Sequence, residues 1–251
     1  MGLMQLNLET GLTTIETAIA LLQAWEPPEG YYLAFSGGKD SVVIYDLAKK
    51  AGVKFDVHYC VSPIDPPQVR TFIKDHYPDV LWDFHAKGFW KMVDTNGLPT
   101  RLNRWCCRVI KEAGGTGRVV IVGNRRSEGT IRKHQCYVEA HRNPKRDLTF
   151  IRPILDFNEY DIWQYIRENE LPVCELYHQG FTRIGCILCP FSRDVEREEK
   201  MFPKIAKLYR LAAERIVDRM KAQNYITKRG KPFKHKFKTG EELYQWWIKR
   251  D

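Results

Sequence analysis

The chain has 251 residues, of which 43% are hydrophobic, and this is enough for one large α/β domain or one domain with an appendage. No apolar run approaches the ~20 residues that a membrane-spanning helix needs, which excludes a membrane span. The N-terminal residues have neither the charged region nor the long apolar region of a secretory signal, so we expect a cytoplasmic protein without a membrane partner.

Hydrophobic patterning predicts helices that alternate with short apolar strands, with a right-handed crossover joining the first two strands. The first helix is predicted from Thr13 to Trp25, with Thr13 or Thr14 as its cap and Glu16 in its first turn. Residues 90–99 are less regular. The predicted strands are Tyr31–Phe35, Val53–Tyr59, Val80–Phe84 and Arg118–Val122. An extended segment is predicted at Phe150–Leu155. Further helices are predicted from Pro67 to Tyr77, from Asn158 onward, from Phe202 to Ala222 and from Glu241 to Ile248.

The chain is organised around the string SGGKDS at residues 36–41, between the first strand and the next helix. A strand that leads through a glycine turn into a helix builds an anion site, because the first N–H groups of the helix have no partner inside it. Gly37 and Gly38 allow a phosphate to approach the backbone closely. Ser36 and Ser41 add hydroxyl donors, and Lys39 adds a positive charge. The spacing differs from the GxxxxGK[ST] loop, and an ordinary βα turn is the alternative.

Two later segments also follow the ends of predicted strands, where open parallel sheets bind ligands. Asp65 follows the second strand and could hold magnesium or a ribose, although a simple helix cap is an equal alternative. Gly123, Arg125 and Arg126 follow the strand RVVIV and fit a second grip on phosphate or sulfate. The alternative for this segment is a solvent-exposed basic loop.

Seven cysteines in a chain without a secretory signal indicate metal or redox chemistry rather than structural disulfides. Cys106 and Cys107 are separated by 78 residues from Cys186, which forms a CxxC motif with Cys189. Four thiolates from two loops can close around a zinc ion or an iron–sulfur cluster. Adjacent cysteines point their sulfurs in different directions, so we favour a [4Fe–4S] cluster, which offers separate iron corners. Zinc and a redox or structural pair are the alternatives.

The formal net charge is +9, and the basic excess is concentrated in the last quarter of the chain. Residues 191–251 contain 17 Lys and Arg against 9 Asp and Glu. Between Lys228 and Lys238, six basic residues are interleaved with Phe233 and Phe237, which suits a single-stranded or distorted nucleic acid. We therefore expect a nucleic-acid partner. A solvated, flexible basic tail is the alternative.

The motifs together resemble known families. SGGKDS resembles the PP-loop of N-type ATP pyrophosphatases. The order PP-loop, CC and CxxC resembles the PAPS/APS reductase (sulfonucleotide reductase) family, as do the strings IDPPQ, RWCCRVIKEAGG, GNRRSEGTIR, PILDFNEYDIW and LYHQGFTRIGCILCP. This resemblance covers roughly residues 31–190. It implies an adenine nucleotide alpha hydrolase-like fold, with a mostly parallel sheet between helices, and Cys106, Cys107, Cys186 and Cys189 as cluster ligands. We divide the chain into this domain, residues 1–190, and a basic helical extension, residues 191–251.

Two departures from the reductases change the expected activity. Sulfonucleotide reductases generally carry an acidic residue where this chain has Lys39, and they use a nucleophilic cysteine near the C-terminus, whereas no cysteine follows Cys189 here. This combination resembles the ATP-pyrophosphatase component of DNA phosphorothioation systems and the cluster-containing tRNA thiolation enzymes. We therefore hypothesise an enzyme that binds ATP and Mg²⁺ and adenylates a nucleic-acid oxygen for sulfur insertion. Lys39, Asp40 and Ser41 are its predicted catalytic residues.

Several predictions about partners go with this hypothesis, and two other hypotheses stay open. The nucleic acid is expected to be DNA rather than tRNA, the sulfur donor a protein such as a cysteine desulfurase, and a homo-oligomer is compatible with the sequence. Cys174 and Cys136 could relay sulfur. The second hypothesis is a PAPS or APS reductase whose nucleophile is Cys174 or lies on a partner chain. The third is a regulator that binds adenine nucleotide and DNA without turnover.

Overall fold

A computed structural model of the protein describes residues 2–3, 11–222 and 237–249. One sheet contains six strands in the order β3–β2–β1–β4–β6–β5. Strand β1 pairs in parallel with β2 and with β4, β4 pairs in parallel with β6, and β5 runs antiparallel to β6 at the edge. The strands are β1 Tyr31–Ala34, β2 Phe55–Val61, β3 Leu81–Phe84, β4 Val119–Ile121, β5 Val138–Ala140 and β6 Thr149–Ile151.

Eight α-helices are present in the described part of the chain. Their bounds are α1 Thr14–Ala24, α2 Lys39–Ala51, α3 Pro67–His76, α4 Phe89–Asn96, α5 Glu159–Glu168, α6 Val195–Met201, α7 Pro203–Ala222 and α8 Gly240–Lys249, and a π-helix covers Cys107–Lys111. None of the helices within the described ranges is long and apolar enough to cross a bilayer.

The predicted capping chemistry is present at the start of α1. The Glu16 N–H donates to the Thr13 hydroxyl at 3.2 Å, and the Thr13 N–H donates to the Glu16 carboxylate at 2.7 Å. This reciprocal pair satisfies two N–H groups that the helix leaves without partners. The Tyr31 hydroxyl donates to the Leu22 carbonyl at 2.7 Å and so joins α1 to the buried strand β1.

The chain divides into two compact units, and each is described by itself. The first unit, with the sheet, contains Met1–Cys60, Pro67–Asp83 and Ala113–Ile184; the second contains Val61–Pro66, Phe84–Glu112 and Gly185–Asp251. In the second unit, Tyr209 and Trp247 lie in a core formed by residues of α4, α7 and α8, and the Trp247 indole donates to the Pro99 carbonyl at 2.6 Å. The predicted boundary after residue 190 differs from this division, because the C-terminal helices share a core with the segment Phe84–Glu112.

Other predictions differ from the structure in a few places. The segment 90–99, predicted to be less regular, is helical over most of its length. Helix α4 occupies Phe89–Asn96 and buries Phe89, Met92 and Val93. The strand β5 was not predicted, since three residues are too few for a period of two to be recognised. The basic stretch from Lys228 lies outside the described residues as far as residue 236.

Candidate functional site

A crevice is expected at the carboxyl end of β1, because this strand is where the order of the sheet reverses. β1 pairs in parallel with β2 on one side and with β4 on the other. In open α/β sheets, ligands bind outside the carboxyl ends of the strands at such a reversal. The SGGKDS loop follows β1, and the segment with Gly123 and Arg125 follows β4, so both predicted anion grips are at this edge.

The two loop glycines serve different purposes. Gly37 has φ +70°, and a Cβ there would lie 2.9 Å from Val69 Cγ1 and 3.1 Å from Ile73. Gly37 therefore lets α3 pack against the loop. Gly38 has an ordinary φ of −84°, and its Cβ would lie 3.3 Å from the Ser36 hydroxyl and 3.5 Å from the Tyr177 hydroxyl. Its missing side chain leaves room beside the first N–H groups of α2.

The two loop serines also differ. The Ser41 hydroxyl is buried and donates to the Gly38 carbonyl at 2.8 Å, so it shapes the start of α2. Ser36 is exposed; its oxygen accepts from the Gly38 N–H at 3.3 Å and lies 3.2 Å from the Ser41 hydroxyl. Ser36 is the serine that a ligand in the crevice would contact.

The Lys39 side chain turns into the protein and is only 4% exposed. Its ammonium group donates to the Thr182 carbonyl at 3.1 Å. It also lies 3.3 Å from the Glu159 carboxylate and 3.7 Å from the Asp40 carboxylate. These three oxygen partners hold the ammonium group in one position beside the loop.

Arg125 joins the segment after β4 to the loop after β1. Its Nε lies 2.6 Å from Asp40 Oδ1, off the direction of a hydrogen bond, and its Nη2 donates to Glu159 at 2.8 Å. A Cβ at Gly123 would come within 3.3 Å of the Asp40 backbone, so glycine there allows the close approach. The two segments that the sequence predicted as anion grips are therefore in direct contact.

Lys39 and Arg125 face Asp40 and Glu159, so two cations oppose two carboxylates. Burial raises the pKa of Asp40, and Lys39 and Arg125 only partly offset that effect. Burial acts to raise the pKa of Glu159 as well, but Lys39 and Arg125 outweigh it and hold the pKa below its usual value. A polyphosphate entering the crevice would compete with these carboxylates for the same two cations.

Arg126 does not share this arrangement with Arg125. Its guanidinium pairs with Asp156, donates to the Gln135 carbonyl at 3.2 Å and lies 5.4 Å from the centre of the Tyr137 ring. Two adjacent arginines after a strand point in different directions, and only Arg125 contacts the loop after β1.

Sequence reasoning missed three residues of this site: Glu159, Tyr177 and Thr182. Glu159 is the first residue of α5 and follows its capping residue Asn158. The Tyr177 hydroxyl accepts from the Lys39 N–H at 2.9 Å. No spacing in the sequence indicates these contacts, because they join residues more than one hundred positions apart.

We expect Glu159→Gln to lower the thermal stability of the protein at neutral pH. The pKa of Glu159 is depressed in the fold, so its ion pairs contribute above the ordinary value of 4.5 and are lost as the pH falls through the depressed pKa. The difference in melting temperature between wild type and variant should therefore shrink as the pH is lowered below 4.5. Thermal denaturation at pH 7 and pH 4 measures it.

The matched control for this prediction is Glu168→Gln. Glu168 lies at the other end of α5 and accepts a hydrogen bond from Gln164 at 2.7 Å. Its replacement should change the melting temperature little at either pH, since exposed pairs contribute at most ~1 kcal/mol. Equal effects of the two variants at both pH values would contradict the assigned role of Glu159.

The four cysteines of the CC and CxxC motifs all belong to the second unit. The free thiols of Cys106 and Cys107 share a hydrogen bond at the start of the π-helix, which raises the pKa of Cys106 and lowers the pKa of Cys107. Cys186 and Cys189 also act to raise the pKa of Cys106, so all four thiols are within electrostatic range. The shared metal site predicted for these cysteines stays a prediction.

Asp65 lies among these cysteines and is 5% exposed. Its carboxylate accepts from the Cys186 thiol at 3.4 Å, from Lys111 at 2.6 Å and from the Ser62 N–H at 3.0 Å. These bonds hold a carboxylate beside the CxxC loop of the second unit. The nucleotide contact predicted for Asp65 remains a prediction.

The cysteines fit a thiolate-bound metal group by their chemistry and their number. Within the described ranges, however, no three His, Cys, Asp or Glu side chains are arranged around a common metal position. Burial raises the pKa of the Cys186 thiol, which donates a hydrogen bond to Asp65. Binding would require Cys186 to lose that proton and the four sulfurs to turn toward one centre.

The fold and the site define an α/β protein with a glycine loop and two buried basic side chains at the reversal of its sheet, and comparison with known proteins identifies its family. The family model for the phosphoadenosine phosphosulfate reductase domain matches residues 30–192, well over half of the chain. The chain therefore belongs to the phosphoadenosine phosphosulfate reductase domain family.

Two relatives show what the chain is similar to. A protein of Methanocaldococcus jannaschii described as uncharacterized is 32% identical over 202 residues, which cover 76% of this chain and 48% of that protein. An adenosine 5'-phosphosulfate reductase of Staphylococcus epidermidis is 32% identical over 183 residues, which cover 66% of this chain and 72% of the reductase. The chain spans less than half the length of the Methanocaldococcus relatives that it matches.

Solved structures confirm the predicted fold class. Candida glabrata FMN adenylyltransferase in complex with FMN and the ATP analogue AMPCPP has a TM-score of 0.52 and 17% identity, over 69% of this chain and 63% of that chain. The phosphate complex of phosphoadenylyl-sulfate reductase from Candida auris also has a TM-score of 0.52, with 18% identity, over 71% and 90%. The mostly parallel sheet with helices is therefore of the adenine nucleotide alpha hydrolase-like type.

Proposed function

We propose that this protein is a PP-loop ATP pyrophosphatase that adenylates an oxygen of a nucleic acid so that sulfur can replace it. The observation that carries the proposal is the site at the end of β1. Lys39 and Arg125, both almost fully buried, lie beside the Gly38 gap and the N-terminus of α2. Basic side chains and the N–H groups of a helix N-terminus at this position suit a polyphosphate. The ATP analogue bound to Candida glabrata FMN adenylyltransferase, which shares the fold, supports ATP as the ligand.

In this reaction the site must stabilise pyrophosphate, the leaving group. The acceptor oxygen attacks the α-phosphorus and forms a new P–O bond, while the bond to the bridging oxygen breaks and pyrophosphate departs. Negative charge grows on that pyrophosphate, and Lys39, Arg125 and the N–H groups of the loop would stabilise it. Because these groups are already in place before the reaction, little reorganisation is needed.

Sulfur enters in a second step. A persulfide sulfur from a partner such as a cysteine desulfurase displaces AMP from the adenylated acceptor. A thiol then cleaves the remaining S–S bond, and the donor pair is oxidised to a disulfide. The proposed acceptor is DNA in preference to tRNA, and the basic residues near the C-terminus would bind its phosphates.

Magnesium would neutralise phosphate charge in this site. Asp40 and Glu159 present the carboxylate oxygens that Mg²⁺ prefers, and they would be free to bind it once phosphate oxygens took their place on Lys39 and Arg125. Asp65 is proposed as a further nucleotide or metal contact on the sequence alone.

The proposed [4Fe–4S] cluster would be held by Cys106, Cys107, Cys186 and Cys189, and when bound it would supply redox and sulfur-binding chemistry. Arg104, which bonds to Cys107, and Lys111, which lowers the pKa of Cys186 against the effect of burial, would balance the negative charge of thiolates.

We expect Cys186→Ser to lose most of the iron and acid-labile sulfide that the wild-type protein carries after anaerobic purification, since a serine oxygen is a poor cluster ligand. Iron and sulfide analysis and the visible absorbance spectrum measure this. Cys136→Ser, at an exposed cysteine, is the control and should keep the wild-type content. Zinc in place of iron, or iron retained in the Cys186 variant, would contradict the cluster assignment.

The function is tested by comparing three nucleotides. Pyrophosphate release from ATP in the presence of DNA or tRNA is the expected result. Sulfite from APS or PAPS with a thiol reductant would instead favour the second candidate, a sulfonucleotide reductase, which the Staphylococcus epidermidis relative supports. Binding of ATP without turnover under any of these conditions would favour a regulator.

A further inference from the structure

The segment Cys174–Thr182 lies over the loop after β1 within the first unit. Cys174, Leu176 and Phe181 are buried and anchor it. The Tyr177 N–H donates to the Cys174 carbonyl at 3.0 Å, and the Phe181 N–H donates to the Leu176 carbonyl at 3.1 Å. This turn directs the side chain of Tyr177 and the carbonyl group of Thr182 toward Lys39.

Two hydrogen-bond acceptors of this segment bind donors that a phosphate would otherwise use. The Tyr177 hydroxyl accepts from the Lys39 N–H, the first N–H of α2, at 2.9 Å. The Thr182 carbonyl accepts from the Lys39 ammonium at 3.1 Å. The Tyr177 oxygen is also the atom that a Cβ on Gly38 would approach to 3.5 Å, so it borders the gap left by that glycine.

Both acceptors are neutral. Burial raises the pKa of Tyr177, so the phenol keeps its proton at ordinary pH, and a carbonyl carries only a partial charge. Hydrogen bonds from an N–H or an ammonium group to a charged phosphate oxygen are roughly twice as strong as bonds to neutral acceptors. A phosphate at the loop would therefore displace both groups, whereas water would compete with them less well.

We propose that Tyr177 is a displaceable substitute for phosphate: its hydroxyl holds the first N–H of α2 until a phosphate oxygen of the nucleotide takes that N–H, and the tyrosine then leaves. The inference rests on the proposed binding of a triphosphate at this loop. Trp163, whose ring lies edge-on to the Tyr177 ring at 5.1 Å, supports the tyrosine in the position where its hydroxyl accepts from the Lys39 N–H. Tyr177 acts through the loop as a positioning residue rather than on the reacting atoms.

The test compares binding of the non-hydrolysable analogue AMPCPP with Mg²⁺ to wild type, Tyr177→Phe and Tyr165→Phe by isothermal titration calorimetry. Tyr177→Phe removes the competing oxygen and keeps the ring, so the variant should bind roughly 3- to 10-fold more tightly. The increase in melting temperature on adding AMPCPP should also be larger than for wild type. Tyr165 lies in α5, and its hydroxyl donates to Asp46 of α2 at 2.7 Å, so Tyr165→Phe is the matched control and should leave the affinity unchanged.

The other outcomes separate the inference from the proposed function. Weaker binding by Tyr177→Phe would make the tyrosine a direct nucleotide contact and overturn the inference. Equal affinity of wild type and Tyr177→Phe would leave it a purely structural side chain, while the proposed function would stand. Absence of binding by all three proteins would overturn the proposed function, and the inference with it. Binding by Tyr177→Phe alone would support displacement in its strongest form.

Discussion

Replacing Lys39 with alanine is expected to lower the rate of pyrophosphate release from ATP about 100- to 1000-fold, the effect of removing one group that stabilises charge in a transition state. The ammonium group is buried and fixed by Thr182, Asp40 and Glu159, so no neighbouring side chain can replace it without rearrangement. The steady-state rate with saturating ATP and Mg²⁺ measures the effect, and circular dichroism checks that the variant is folded.

Lys49→Ala is the matched control for this experiment. Lys49 is on the same helix, in its last turn, and its ammonium group lies 4.4 Å from the Tyr45 ring centre, away from the loop. Its replacement should leave pyrophosphate release within about twofold of wild type, since exposed surface substitutions have small effects. Undiminished release by the Lys39 variant would remove the loop from the mechanism.

Replacing Gly37 with alanine is expected to have the largest effect on stability, about 3 kcal/mol. A left-handed φ costs a residue with a Cβ ~1–2 kcal/mol, and overpacking a core costs typically ~1–3 kcal/mol. Both apply here, because φ is +70° and the new Cβ would lie 2.9 Å from Val69 in α3. Chemical denaturation followed by circular dichroism measures the free energy of unfolding.

Two other glycines separate the contributions. Gly52 has φ +69° with nothing within 4 Å of its Cβ position, so Gly52→Ala should cost only the backbone term, ~1 kcal/mol. Gly38 has an ordinary φ, so Gly38→Ala should lower the free energy of unfolding little. The new Cβ would fill the space beside the Ser36 hydroxyl, so the variant should bind nucleotide more weakly. Equal destabilisation by Gly37→Ala and Gly52→Ala would show that contact with α3 is unimportant.

Much of the fold and of the site could be predicted, because local chemistry carries them. The glycine turn of SGGKDS, the capping box of Thr13 and Glu16, and the order of strands and helices each depend on residues close together in sequence. The approach of Arg125 to Asp40 was also foreseeable in outline. Both follow the carboxyl ends of parallel strands, which lie at one edge of the sheet.

Other features could not be predicted, because they depend on contacts between distant segments. Glu159 faces Lys39 across 120 positions of sequence, and Tyr177 contacts the Lys39 N–H across 138. Arg126 looked equivalent to Arg125, yet its partner is Asp156. The division into two units also escaped sequence reasoning, since the C-terminal helices pack with Phe84–Glu112 rather than forming a separate appendage.

By itself, the sequence determined the type of sheet, the glycine loop after its first strand and the set of four cysteines, because hydrophobic period and turn chemistry act over a few neighbouring residues. Only the tertiary structure decided which groups surround Lys39. Whether a buried ammonium meets a carboxylate, a carbonyl or a phenol depends on the directions in which separate segments place their side chains. Those directions are set by packing of the whole first unit, and no local pattern encodes them.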